Sequence, residues 1–175
     1  MKQLLVPVGA HDHARGPVDA HVTIVQYGDY DCPHTRLSNR ILVQLLPNLP
    51  VSCRFIYRHF PLRHLHANAQ LFAELAEAAA DQGRFWPFHD RVMSHSRAPD
   101  EAELRADLHA ADLDLDGLAR AITLKVRARV EDDLQGGKAA GVHSTPTFFF
   151  NGVLHEGHYD PATVRGLIDA AANRL

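Results

Sequence analysis

The sequence is poor in sulfur and in long apolar runs. Its 175 residues include two cysteines, Cys32 and Cys53, two methionines and one tryptophan. Two cysteines cannot supply the set of bridges that holds small disulfide-dependent domains. A chain of this length buries about 70% of its unfolded surface and needs none. No apolar stretch approaches the ~20 residues of a membrane-spanning helix, so no membrane insertion is expected. The opening Met1-Lys2-Gln3-Leu4-Leu5-Val6-Pro7-Val8 is too briefly apolar for a secretory signal, and His11-Asp12-His13 follows at once. The expected location is a reducing cytoplasm, where a lone thiol stays reduced. A net charge of −3 gives no basic footprint for nucleic acid. What is plentiful is histidine, thirteen in all, so the charge rises steeply as pH falls from 7 to 5. At 46% hydrophobic and 22% charged residues, the composition is that of an ordinary globular chain. The length fits one domain, or one domain carrying an insertion.

The rest is organised around Tyr27-Gly28-Asp29-Tyr30-Asp31-Cys32-Pro33-His34-Thr35. The apolar run Val22–Tyr27 before it reads as a buried strand. After it, Leu37, Ile41, Leu42, Leu45 and Leu46 recur at helical spacing. Cys32 therefore falls where a strand hands over to a helix, and Pro33 takes the first helical position, which suits its fixed φ. A helix N-terminus offers unpaired N–H groups and partial positive charge. Both favour thiolate over thiol, and the thiolate is the nucleophile. His34 adds a cationic influence when protonated.

Cys32-Pro33-His34-Thr35 resembles the Cys-Pro-His-Cys motif of DsbA-type thiol-disulfide oxidoreductases, with the last cysteine replaced by Thr35. Three further stretches carry the same resemblance. Gly16–Val25 is similar to the lead-in strand of DsbA-like thioredoxin-fold proteins, and Arg58-His59-Phe60-Pro61-Leu62 to a strand ending in that branch. Val142–Gly152 resembles the segment that holds the family's cis-proline. The likeness spans about residues 16–172. It implies an α/β thioredoxin fold, with a central mixed four-stranded sheet and an inserted helical subdomain. It also implies that Pro146 is cis and sits against Cys32, leaving the Thr145 backbone to pair with an extended peptide or with glutathione by strand addition.

The remaining pattern divides the chain accordingly. Residues 1–15 read as a loosely docked arm, and His11-Asp12-His13 as solvated loop rather than metal ligands. Residues 16–65 and 141–175 form the thioredoxin-fold domain, and 66–140 the helical insertion. Val51–Phe60 alternates as a strand. The helical stretches are Ala67–Gln82, one from Phe85, one opened by Asp100, one near Leu115–Ile122 and Leu124–Ala140. Asn151-Gly152 between apolar runs signals a hairpin, and Pro161 opens the last helix. A strand–helix–strand unit is a right-handed parallel crossover, which puts Cys53 near the start of its strand and Cys32 beyond the end of the other. At about 3.3 Å per residue they lie roughly 15–25 Å apart, outside the ~7 Å Cα separation of a disulfide. Cys53 is expected to be a core cysteine.

Thiol–disulfide exchange passes through a mixed disulfide. Thr35 cannot resolve one, but its hydroxyl can donate to the Cys32 sulfur. The site residues are therefore Cys32, Pro33, His34 and Thr35, with Thr145 and Pro146 binding substrate. The expected activity is a monothiol oxidoreductase acting on protein or peptide disulfides and thiols, with glutathione as co-substrate and no bound cofactor. Two alternatives stand beside it. One is a redox-inactive peptide- or protein-binding module, and the other a glutathione-dependent isomerase or transferase. Asp29 and Asp31 read as surface acids of the loop. His59, His64 and His66 could gather beside Cys32, but a proline loop packed on the sulfur would bar an ion, so no metal is expected.

Overall fold

The computed structural model describes residues 2–174, apart from the side chain of Ala119. The chain runs β1 (His13–Arg15), β2 (Val22–Gly28), α1 (Pro33–Leu45), β3 (Cys53–His59), α2 (Ala69–Asp81), α3 (Phe85–Ser94) and α4 (Glu101–Ala110). It continues with α5 (Leu115–Ala121), α6 (Leu124–Ala139), β4 (Thr147–Phe150), β5 (Val153–His155) and α7 (Pro161–Ala172). The five strands form one mixed sheet in the order β1-β3-β2-β4-β5. β2 and β3 are parallel, and the other neighbours are antiparallel.

β2 is apolar on both faces because both are covered. Val22 and Ile24 join Leu42, Phe148, Val164 and Ile168 in one core. Val25 and Tyr27 join Ile56, Leu134 and Phe149 in the other. The alternation of side chains along a strand makes this division. Helix ends follow their local signals. Asp100 and Glu103 form a reciprocal capping box at the start of α4. Asp160 caps α7 through the Ala162 and Thr163 amides, ahead of Pro161. The Asn151-Gly152 hairpin places both residues at positive φ, 47° and 80°, as a type I′ turn requires.

The first fifteen residues depart from the expectation of a loose arm, and the sheet has five strands rather than four. His13–Arg15 pairs antiparallel with β3. Gln3 bridges to Val153 at the opposite edge, where the Leu4 amide donates to the Gly152 carbonyl at 2.8 Å. The segment thus touches both sheet edges. The physical reason is Arg58, 3% exposed on β3. Its guanidinium donates to both carboxylate oxygens of Asp12, at 2.7 and 3.0 Å, to the Val6 and Pro7 carbonyls and to Tyr27 Oη. A buried guanidinium needs this number of acceptors, and the arm supplies most of them. Trp86 adds a second anchor. Its indole N–H donates to the Ala14 carbonyl, and Arg15 lies over its ring at 4.2 Å.

Removing one partner from a buried ion pair strands the other, at a cost of about 3–5 kcal/mol. Asp12→Ala is therefore expected to lower stability by about 3 kcal/mol in urea unfolding, more than truncation of the exposed Asp116 on α5. Equal effects of the two changes would show that the arm does not hold Arg58.

Candidate active site

β2 ends at Gly28, and the loop that follows is pulled tight by Asp29, which is 2% exposed. One Asp29 oxygen accepts from the Asp31 amide at 2.8 Å. The other accepts from the Leu62 amide at 2.9 Å and from His66 Nδ1 at 2.8 Å. The loop after β3 is thereby tied to the loop before α1. Asp31 extends the tie by accepting from the Asn68 amide ahead of α2, at 2.9 Å. Asp29 is thus no surface acid, as the sequence suggested, but a buried fastener of two loops.

Cys32 is the N-cap of α1, with Pro33 as the first helical residue. Its Sγ lies 3.3 Å from the Thr145 carbonyl and donates to it. The Thr145–Pro146 peptide bond is cis. The helix start and the proline loop therefore meet at the sulfur. Thr145 is not left wholly free for a peptide, since its carbonyl already accepts from Cys32. Cys32 is only 3% exposed, yet it belongs to neither apolar core. In the same region His34 Nδ1 and Tyr159 Oη are 2.8 Å apart. Burial, together with the charge of Cys32 nearby, pushes the Tyr159 phenol up.

Thr35 does not reach the sulfur as expected. It is fully buried, and its hydroxyl oxygen accepts from the Asp29 amide at 3.3 Å. The third helical residue points back at the end of β2, so Thr35 braces the loop. Nor do His59, His64 and His66 converge on Cys32: His66 binds Asp29, and His59 faces Glu77. Cys53 pairs with Val22 at the far end of β2. Both thiols are free, and Cys53 is half-buried rather than fully in the core. Burial pushes the Cys53 thiol up.

Three neighbours of the site were not legible as such. Arg36, one turn into α1, is fully buried; it donates to the Val92 carbonyl, while Nε and Nη2 have no partner. Burial lowers its pKa, against the opposing influence of Asp31, Tyr57, Asp29 and Cys32. α3, packed against α1, takes its one hydrogen bond. Tyr30 Oη donates to His89 Nδ1 at 2.9 Å, and His89 Nε2 faces Asn39 Oδ1 at 3.2 Å. Burial holds His89 well below the ordinary imidazole value, so it stays neutral in this chain of bonds. Tyr159 lies far along the sequence from Cys32, and nothing local marks it.

A strand feeding a cysteine-capped helix, opposed by a cis-proline strand lead-in, with a block of helices between β3 and β4, defines a thioredoxin fold of the DsbA-like kind. The chain belongs to the thioredoxin family, whose model, described as Thioredoxin, matches residues 10–170. A thioredoxin-like oxidoreductase from Silicibacter pomeroyi DSS-3 superposes with a TM-score of 0.82 at 25% identity, over 94% of each chain. The thiol-disulfide exchange protein alpha-DsbA2 from Wolbachia pipientis gives 0.78 at 20% identity, over 92% of this chain and 87% of that one. Among curated sequences, the Na(+)/H(+) antiporter NhaA 1 of Salinispora arenicola is 38% identical over 170 residues, 96% of this chain and 26% of its own length. The chain thus spans about a quarter of the curated relatives it matches. Among the described residues, no helix is long and apolar enough to cross a membrane.

The His34–Tyr159 bridge stands near Cys32, whose charge acts on the phenol. Tyr159→Phe removes the bond and keeps the ring, so alkylation of Cys32 by iodoacetamide at pH 7 is expected to rise several-fold, read by peptide mass spectrometry. An unchanged rate would show that the bridge does not restrict the thiol.

Proposed function

We propose that this domain is a monothiol thiol-disulfide oxidoreductase that works through a mixed disulfide on Cys32, with glutathione as its resolving thiol. The observation that supports it is the placement of Cys32: a helix N-cap sulfur, in contact with the loop of a cis-proline, with the other cysteine at the far end of β2 and β3. Cys32 thiolate attacks a substrate disulfide, forms a new S–S bond and releases one thiolate. A thiol from solution then attacks the mixed disulfide and frees Cys32. Neither Thr35 nor Cys53 takes that second role: the first has no sulfur, and the second lies at the opposite end of β2 and β3. Cys32 stands at the N-cap of α1, where a helix start attracts negative charge. The Thr145–Pro146 loop orients an extended substrate chain alongside the sulfur. The reaction suits a reducing compartment supplied with glutathione, such as the cytoplasm.

A second reading is favoured by one specific observation, the threonine at position 35. A site that forms a mixed disulfide and cannot resolve it holds its partner, so the domain would act as a protein- or peptide-binding module. The curated relatives are named as antiporters and are about four times as long as the matched region. In a longer protein of that kind, the same site would capture or sense a thiol partner.

One assay separates the readings. With a glutathionylated peptide and excess reduced glutathione, wild type and Cys53→Ser should both turn over, and Cys32→Ser should lose at least about a hundredfold in rate. Oxidation with diamide should give a protein lacking an internal Cys32–Cys53 bridge. Capture of peptide on Cys32 without turnover would replace the enzyme reading with the binding module. An internal bridge, or full activity in Cys32→Ser, would overturn both.

A further inference from the structure

We propose that His13, His59 and Glu77 form a binding site for one divalent transition-metal ion, with zinc as the ion that fits it best. The three residues come from β1, β3 and α2. His13 Nε2 and His59 Nε2 lie 2.6 and 2.9 Å from the same oxygen, Glu77 Oε1. One donor atom from each residue lies within 4.8 Å of the other two. Tetrahedral zinc with bonds of about 2.0–2.1 Å separates its donors by about 3.3–3.5 Å, so slight spreading admits the ion. Two imidazoles and one carboxylate are a donor set that suits zinc and leaves a position open.

The donors are held before any ion arrives. The His59 and Glu77 side chains are 1% and 3% exposed, and that of His13 is 12% exposed. The His13 ring stacks on Phe85 with centroids 3.5 Å apart and planes within 7°. His59 packs edge-on against Tyr57 and Phe85. Such packing fixes ring orientation, as second-layer contacts do in metal sites. The His59 amide donates to Asp133 Oδ2 at 2.8 Å, which pins the strand end that carries the ligand.

Room and charge also favour a cation. A cavity of about 380 Å³ adjoins His13 and Glu77, giving a fourth ligand access. Its wall carries the carboxylates of Asp132 and Asp133 besides Glu77, and Lys125 and Arg129 in opposition. Arg129 Nη2 lies 2.9 Å from Glu77 Oε2 without hydrogen-bonding alignment, and its side chain is 29% exposed, so it can withdraw toward solvent. Independent of the ligand triad, Tyr57 lines the same cavity, is fully buried, and has a hydroxyl with no partner. His59 Nδ1 is likewise without a hydrogen-bond partner, and Glu77 Oε2 has only its ion pair with Arg129. Two buried polar atoms without a partner, His59 Nδ1 and the Tyr57 hydroxyl, beside the cluster are costly unless something completes them. On binding, the two imidazoles coordinate as neutral rings through Nε2, carrying their proton on Nδ1. The ion then clamps the first strand to α2, apart from the thiol chemistry at Cys32.

The test uses the full chain with both cysteines replaced, Cys32→Ser and Cys53→Ser, so that no thiol can hold metal. After stripping with chelator, calorimetric titration with zinc chloride should show one ion per chain at a Kd below about 1 μM. His13→Ala, on the partly exposed edge strand, should weaken binding at least about a hundredfold while circular dichroism stays unchanged. Glu77→Gln should do the same, and His155→Ala, outside the cluster, should leave affinity unaltered. Zinc should raise the Tm of the thiol-free chain and not of its His13→Ala derivative. No binding at tens of micromolar, or equal affinity in the His13→Ala chain, would overturn the site. So would a cobalt-loaded wild type whose sulfur charge-transfer band disappears with Cys32→Ser, since that would place the metal on the thiol.

Discussion

The buried carboxylate of Asp29 is the constraint on which the site depends. Three donors from two loops converge on it: the Asp31 amide ahead of α1, and the Leu62 amide and His66 after β3. A carboxylate removed from water must be matched by such donors, so the loops cannot drift apart without stranding it. The Asp29 amide in turn donates to Thr35. These bonds set where β2 stops and α1 begins, and with that the position of Cys32 at the helix start. The Thr145–Pro146 loop completes the site from the other side of β2, because β4 is its antiparallel neighbour.

The helices between β3 and β4 do more than fill a gap. α3 reaches the loop before Cys32 through Tyr30 and His89, and it covers Arg36. α2 brings Glu77 under the end of β3, and α6 brings Asp133 and Arg129 to the same edge. The insertion therefore supports the thiol from one side and encloses a separate polar cluster on the other. Placing both on one sheet is economical, since parallel β2 and β3 end at the same side and present Gly28 and His59 as register partners.

Monothiol chemistry and partner capture differ by a single step, the arrival of an outside thiol. The nearly covered sulfur at Cys32 makes that step a question of access as well as reactivity. His34 and Tyr159 are bridged near it, and Tyr159 packs against the larger apolar core beside Phe148.

Much of this was legible in the sequence. Alternation and helical spacing marked β2, β3 and the helices, because burial of apolar faces is written locally. Asp100, Asn151-Gly152 and Pro161 announced caps and a turn for the same reason. Cys32-Pro33 announced a cysteine at a helix start, since proline's fixed φ acts on its own position. What the sequence alone could not decide was every contact made across a long separation. Whether Thr35 faces the sulfur or the strand, whether Asp29 is wet or buried, and whether residues 2–15 dock or trail all depend on which surfaces the fold brings together. The cluster of His13, His59 and Glu77 is the clearest case. No spacing links the three residues, and only the edge pairing of β1 with β3 beneath α2 brings their donor atoms to one point.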